Sequence, residues 1–250
     1  MIMKHFLFAT VSLLLQTMPS AYGQDTTLLN IQEKIYVAFL SDINARNETA
    51  LPDIVKTIER VGSTSQLSAY WRAYAQYYSS LYHMKTADRR RASKVLDAAI
   101  ADLEDVANKN SETYALLAYL RSFSIQFLAG PKSASVSRKA RADAEAALKL
   151  DSTNLRAWYV LASNDYYTPP AFGGGKRCEE YLKKAVSLDE QTVANPYMPS
   201  WGKASAFAML IDFYIKKEDY EKAKQVLNEA QRQYPSDYMI GQYAEKLKDA

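Results

Sequence analysis

Apolar side chains recur at intervals of three and four residues along most of the chain, which is the spacing of one face of an α-helix. Near the N-terminus they fall at Leu28, Ile31, Ile35, Phe39 and Ile43. A second run, over 54–61, follows Pro52, which suits the first turn of a helix. The pattern predicts a pair of helices within residues 24–64 and successive helices from residue 65 to residue 250.

Large and small residues alternate most regularly between Ser205 and Pro235. The large residues are Phe207, Leu210, Tyr214, Tyr220 and Leu227, and the small ones are Ala223 and Ala230. Small residues let two antiparallel helices approach, large residues fill the space between them, and the proline ends the second helix. This stretch resembles the consensus of the tetratricopeptide repeat (TPR), about 34 residues long, at nearly every position.

The resemblance to the TPR family extends upstream. Small residues stand before predicted helix ends at Ala185, Ala147 and Ala107, in units longer than the consensus. We expect the excess to lie in insertions, at Gly130–Ser137, Thr168–Gly175 and Val193–Ser200. The resemblance implies an all-α, short right-handed solenoid of antiparallel helical hairpins over residues 65–250, capped by a final helix at 238–247. An unrelated helical bundle is the alternative.

The first 23 residues have the layout of a secretory signal peptide. Lys4 precedes an apolar run from Phe6 to Leu15, and small residues follow at Ala21 and Gly23. We predict cleavage before Gln24, an exported, periplasmic or secreted protein, and no transmembrane segment in the mature chain. The apolar run has only about ten residues, fewer than a bilayer span needs, so an uncleaved anchor is the weaker alternative.

Composition supports packed helices and argues against a nucleic-acid partner. Apolar residues make up 48% of the chain, and there are only 8 Gly and 8 Pro in 250 residues. The net charge of +3 is close to neutral for this length, and acidic residues accompany most basic clusters. Cys178 is the single cysteine and has no partner for an internal disulfide.

Candidate chemistry is sparse, so the sequence predicts a protein that is not an enzyme and needs no cofactor. His5 lies in the predicted signal, which leaves His83 as the only other histidine and excludes a two-histidine metal site. Ser200 and Lys203 have the spacing of a penicillin-binding nucleophile motif, but its companion motifs are absent. We therefore predict no catalytic and no metal-binding residues.

The TPR resemblance also predicts where a partner would bind. In TPR stacks the first helices of successive hairpins line a concave face. The outward positions of those helices are here Arg156, Tyr159, Ser163, Tyr166 and Tyr167, and then Ser205, Ala208, Asp212, Ile215 and Lys216. Several tyrosines with few charges suit an extended peptide or an aromatic ligand, because tyrosine offers a large surface and a polar tip. The alternative is that the tyrosines pack between neighbouring hairpins.

Two functions remain open from the sequence. The first is a scaffold that holds another protein or peptide of the bacterial periplasm or cell envelope on its concave face. The second is a carrier of a small molecule, since exported TPR proteins associated with solute transporters enclose a ligand. An open groove would favour the scaffold, and an enclosed cavity would favour the carrier.

Overall fold

The computed structural model describes residues 26–61 and 65–248, and this part of the chain contains helices and no strand. The predicted signal peptide at 1–23 and its cleavage before Gln24 lie outside the described residues. The α-helices are α1 (Ile31–Ala45), α2 (Ala50–Arg60), α3 (Gln66–Lys85), α4 (Arg89–Glu104), α5 (Ser111–Ser124), α6 (Pro131–Leu150), α7 (Leu155–Tyr167), α8 (Cys178–Ser187), α9 (Lys203–Lys216), α10 (Tyr220–Gln233) and α11 (Tyr238–Lys246).

Helices α3 to α10 form four antiparallel hairpins, and α11 packs on the last of them. The second helix of each hairpin carries two fully buried small residues seven positions apart. The pairs are Ala92 and Ala99, Ala140 and Ala147, Cys178 and Ala185, and Ala223 and Ala230. A seven-residue spacing keeps both residues on one face, where they allow the first helix to approach closely. The predicted all-α fold of stacked hairpins is confirmed.

Two predictions about the repeats were wrong. Ala107 is not the small position of the first hairpin, because α4 ends at Glu104 and Ala107 lies exposed in the turn that follows. Ala99 fills that position instead. The stretch 130–137 is not an inserted loop, since α6 begins at Pro131, a residue that suits a first helical turn because its missing N–H would be unpaired there anyway.

The first pair of helices shares a hydrophobic core with the repeats that follow. Ile35 and Leu51 are buried in the same cluster as Trp71 of α3 and Leu116 of α5. The start of α2 is held by the buried carboxylate of Asp42, which accepts hydrogen bonds from three successive backbone N–H groups at 2.8–2.9 Å. Asp42 therefore performs the capping role that no side chain at the helix start performs.

Most later helices begin at residues that cap them locally. Six N-cap side chains accept a hydrogen bond from a backbone N–H of the first turn: Ser65, Asp88, Asn110, Asn154, Asp219 and Asp237. Each such cap contributes about 1 kcal/mol. No helix within 26–61 or 65–248 has both the length and the apolar character of a membrane span.

A concave face covered by its own loop

The first helices of the four hairpins, α3, α5, α7 and α9, contact one another in sequence and line one side of the stack. We call this side the concave face. The segment 188–202, which joins α8 to α9, does not turn directly from one helix to the next. It reaches back to α1 and α3 and lies over the N-terminal halves of the lining helices, and we call it the covering loop.

Main-chain atoms of the covering loop are hydrogen-bonded by residues far away in sequence. The indole Nε1 of Trp71 donates to the carbonyl oxygen of Tyr197 at 2.9 Å. The backbone N–H of Asn30 donates to the carbonyl oxygen of Pro196 at 2.9 Å. The side chain of Gln32 accepts from the N–H of Ser200 at 2.9 Å. The concave face and the start of α1 thus hold this irregular segment largely through its backbone.

Trp201, near the end of the covering loop, inserts its ring among the tyrosines of the concave face. Its ring lies 4.9 Å from that of Tyr119 and 5.9 Å from that of Tyr74, measured between centroids. Its Nε1 donates to the hydroxyl of Tyr70 at 2.7 Å. Trp201 packs against both hydrophobic clusters of the molecule, so it joins the N-terminal and C-terminal halves.

Arg156 fastens both ends of the covering loop. One guanidinium nitrogen donates to the carbonyl oxygen of Trp201 at 3.1 Å and another to that of Glu190 at 3.2 Å. The guanidinium also forms a two-bond pair with the carboxylate of Glu112, with Nε at 2.6 Å and Nη2 at 2.5 Å from its oxygens. Burial opposes the charge of Arg156, but the hydrogen bonds and charge of Glu112 outweigh it and raise the pKa.

Buried tyrosines connect the lining helices under the loop. The hydroxyls of Tyr77 on α3 and Tyr119 on α5 are 2.8 Å apart. Burial raises the pKa of Tyr70, Tyr77 and Tyr159 well above the ordinary value, because their phenolates would have to form away from water. In this structure these side chains stay protonated and act as hydrogen-bonding core residues.

The predicted binding residues divide into two groups. Arg156 and Tyr159 lie on the concave face as predicted but do not face solvent, because the covering loop and neighbouring helices bury them. Ser205 and Ala208 belong with them in the first half of α9, where Ser205 is exposed and Ala208 is buried. The other predicted residues lie at the opposite end of α7 and α9, beyond the loop: Ser163, Tyr166, Tyr167, Asp212, Ile215 and Lys216. We call this region the open end.

Charged and aromatic side chains meet at the open end. The Tyr166 hydroxyl donates to Asp212 and accepts from Lys216, and the Lys216 ammonium lies 3.0 Å from the Asp212 carboxylate. The same ammonium lies 4.4 Å from the Tyr166 ring centroid. Tyr167 stands edge-on to Tyr166 and is 72% exposed. The open end therefore presents an aromatic surface with both signs of charge.

A cleft of about 740 Å³ opens beside the covering loop, between the loop, α1, α3 and the start of α9. Five aromatic side chains line it: Tyr36, Tyr74, Tyr78, Trp201 and Tyr234, whose hydroxyl donates to the Glu190 carboxylate at 2.8 Å. Its other polar side chains include the amides of Asn30 and Gln32 and the carboxylates of Glu33 and Glu190. This volume lies within the range of about 300–1,000 Å³ that small-molecule sites occupy.

The arrangement of hairpins matches known helical-repeat structures. A thermophilic TPR protein from Thermus thermophilus superposes with a TM-score of 0.56 at 14% identity, over 87% of this chain and 98% of that chain. The HusA haemophore from Porphyromonas gingivalis superposes with a TM-score of 0.51 at 22% identity, over 73% of this chain and 94% of that chain. No family model and no curated protein matches this sequence. At these identities the likeness shows the fold alone, and the chain has the TPR-like fold.

Sequence reasoning missed the residues that hold the covering loop. Trp71, Gln32 and Glu112 were not predicted as functional, because their partners lie 44 to 168 positions away and no periodic pattern joins them. Trp201 was the one feature of the sequence from which the position of the loop could have been predicted. A tryptophan that ends a loop rich in proline and amides needs a place to bury its ring, and the tyrosine-rich helices supply one.

Proposed function

We propose that this protein is a non-enzymatic scaffold of the bacterial periplasm or cell envelope, which binds a peptide or another protein on the concave face of its TPR-like repeats. Export is supported by the signal-like segment at residues 1–23. Binding is supported by the covering loop, since Trp71 and Arg156 of the concave face already hold an irregular segment through its carbonyl oxygens, with Trp201 as one aromatic anchor. Recognition of a peptide uses the same contacts.

The open end is the part of the concave face that the covering loop leaves free for a partner. Tyr167 is largely exposed, and Lys216 and Asp212 offer a donor and an acceptor beside it. Exposed tyrosines next to a charged pair provide a large contact area at little entropic cost. We therefore assign the partner contacts to Tyr166, Tyr167, Asp212 and Lys216 first. Arg156 contributes by holding the covering loop in place, and Tyr159 by packing against Tyr119 beneath it.

Photo-crosslinking tests the scaffold proposal directly. A photoreactive phenylalanine derivative replaces Tyr167 in one variant and Tyr238 in a control, because Tyr238 is equally exposed, at 74%, on the capping helix α11. We expect a discrete crosslinked protein in envelope preparations from position 167 and none from position 238. The crosslink should weaken when Lys216→Ala is added. Equal crosslinking at both positions would remove the assignment of the open end.

A small-molecule carrier, or a transporter-associated TPR protein, is the second candidate function. The observation that favours it is the volume and aromatic lining of the cleft beside the covering loop, although the cleft is open and not enclosed. The HusA haemophore, which has a similar fold, is by its name a carrier of haem. A ligand that raises the melting temperature of the purified protein in proportion to its concentration would support this function.

A further inference from the structure

The charged side chains of the cleft beside the covering loop decide whether it favours a cationic or an anionic small molecule. Two carboxylates lie in its lining, Glu33 on α1 and Glu190 at the start of the covering loop. Among the described residues, no lysine, arginine or histidine lines it. A bound anion would therefore meet two like charges in the lining, which disfavours anionic ligands. The neighbouring guanidinium, that of Arg156, is buried and already paired with Glu112.

The aromatic residues add a second attraction for positive charge. Tyr36 is 48% exposed, and its ring centroid lies 6.3 Å from that of Tyr78, which in turn lies 5.3 Å from that of Tyr74. The rings meet edge to face, so they form a corner with more than one aromatic face. Ring faces carry negative potential and attract cations, most strongly where water is excluded.

We propose that the cleft binds a planar aromatic organic cation, with its ring against Tyr36, Tyr78 and Trp201 and its charge near Glu33 and Glu190. The inference rests on the second candidate function, the small-molecule carrier, and names the ligand class of that site. A flat ring stacks on Tyr36, the exposed aromatic side chain of the cleft, and the amide of Asn30 offers hydrogen bonds at the rim. The two carboxylates set the sign of the charge.

A matched pair of dyes tests the ligand class. The probes are 10-methylacridinium, a cation, and acridine-9-carboxylate, an anion with the same three fused rings, and haem serves as a third probe. Titrations of the purified chain from Gln24 are followed by dye fluorescence and by isothermal calorimetry. We expect the cation to bind at least ten times more tightly than either anionic probe.

Two variants locate the site. Tyr36→Ala removes the most exposed ring of the cleft and should weaken binding of the cation about fivefold. Glu33→Gln should weaken it about threefold and reduce its dependence on salt. The controls are Tyr238→Ala and Glu221→Gln, which change the same residue types on the exposed surfaces of α11 and α10. Neither control should change the affinity, and circular dichroism confirms that all four variants are folded.

The outcomes separate the inference from the function on which it rests. Tight binding of haem or of acridine-9-carboxylate at this cleft would overturn the proposed charge preference and leave the carrier function standing. Binding of the cation that neither Tyr36→Ala nor Glu33→Gln weakens would overturn the assignment of the site. Failure of 10-methylacridinium to bind would overturn the ligand class, while the carrier function is tested separately by the ligand-dependent rise in melting temperature.

Discussion

Tyr159 and Tyr167 lie about two turns apart on the same helix, α7, and both were predicted to face a binding groove. Tyr159 is buried beneath the covered half of the concave face, whereas Tyr167 at the open end is largely exposed. The covered half holds Trp201, Arg156 and a set of buried tyrosines, while the open end holds an ion pair with one partner in water. Tyrosine on the concave face is therefore a buried core residue at one end of α7 and an exposed surface residue at the other.

The difference follows from what packs over each end of α7. TPR geometry places the two tyrosines on the concave face, but Tyr159 lies against Tyr119 of α5 in the core next to the covering loop, whereas Tyr167 lies beyond it. Burial removes water from the phenol and from the Arg156–Glu112 pair, so each interaction there has a larger effect on stability than its counterpart at the open end. The covered half should govern folding, and the open end should govern binding.

Alkaline pH should have the largest effect on the covered half. The pKa of each of Tyr70, Tyr77 and Tyr159 is raised above the ordinary 10.0 by burial. A folded-state pKa above the unfolded value gives stability that is complete below pH 10 and is lost as pH rises. Each tyrosine then lowers the free energy of unfolding by about 1.4 kcal/mol per pH unit above 10. We expect one cooperative loss of helix accompanied by phenolate absorbance.

One outcome of this titration would contradict the burial of the tyrosines under the covering loop. Circular dichroism reports the helices, and phenolate absorbance reports ionised tyrosines in the same samples. If the buried tyrosines ionise near pH 10 while the helices remain intact, the covered half is open to water in solution.

Arg156→Met should lower the free energy of unfolding by about 3–5 kcal/mol, because it leaves the Glu112 carboxylate without its partner in a largely buried site. The double variant Arg156→Met with Glu112→Leu should recover a large part of the loss. Lys216→Met at the open end is the matched control and should cost less than about 1 kcal/mol, since its ammonium is exposed. Urea unfolding measures all three. Equal losses of unfolding free energy in Arg156→Met and Lys216→Met would contradict the larger role of the covered half in stability.

Trp201→Ala should cost about 2–3 kcal/mol, less than a fully buried tryptophan, because the ring is only partly buried. It removes the contacts with Tyr74 and Tyr119 and the hydrogen bond to Tyr70. Limited proteolysis should then cleave within 188–202 far sooner than in the unaltered protein. Trp201→Phe retains most ring contacts and should leave the loop protected. A loop that stays resistant in Trp201→Ala would show that backbone hydrogen bonds alone hold it.

Much of the fold was predictable because its signals are local. The apolar periodicity, the caps and the alternation of large and small residues each lie within one hairpin, and they predicted an all-α repeat and the capping helix α11. Cys178 is fully buried and stands where the other hairpins have Ala92, Ala140 and Ala223, so it serves as the small residue of its hairpin. Local patterns thus specify local packing.

The covering loop was not predictable because its partners are not local. Val193–Ser200 was identified as an insertion, but nothing in the pattern indicated that its carbonyls meet Trp71 or that Arg156 holds its ends. The TPR resemblance gives Arg156 an outward position on α7, and in the structure its guanidinium donates to the carbonyl oxygen of Trp201. The covering loop lies over the Arg156 side chain and buries it. Long-range contacts between an irregular segment and a regular surface require the three-dimensional structure.

Tyr167→Ala should have the smallest effect on stability, within about 0.5 kcal/mol, because most of the side chain is already in water. Tyr159→Ala on the same helix is the contrasting variant and should destabilise by several times as much, since it leaves a cavity beneath the loop. Thermal unfolding compares the two. If the open end binds the partner, Tyr167→Ala should still reduce partner capture severalfold, so a loss of binding without a loss of stability separates the two regions. A large loss of stability in Tyr167→Ala would mean that the open end, too, is part of the folded core.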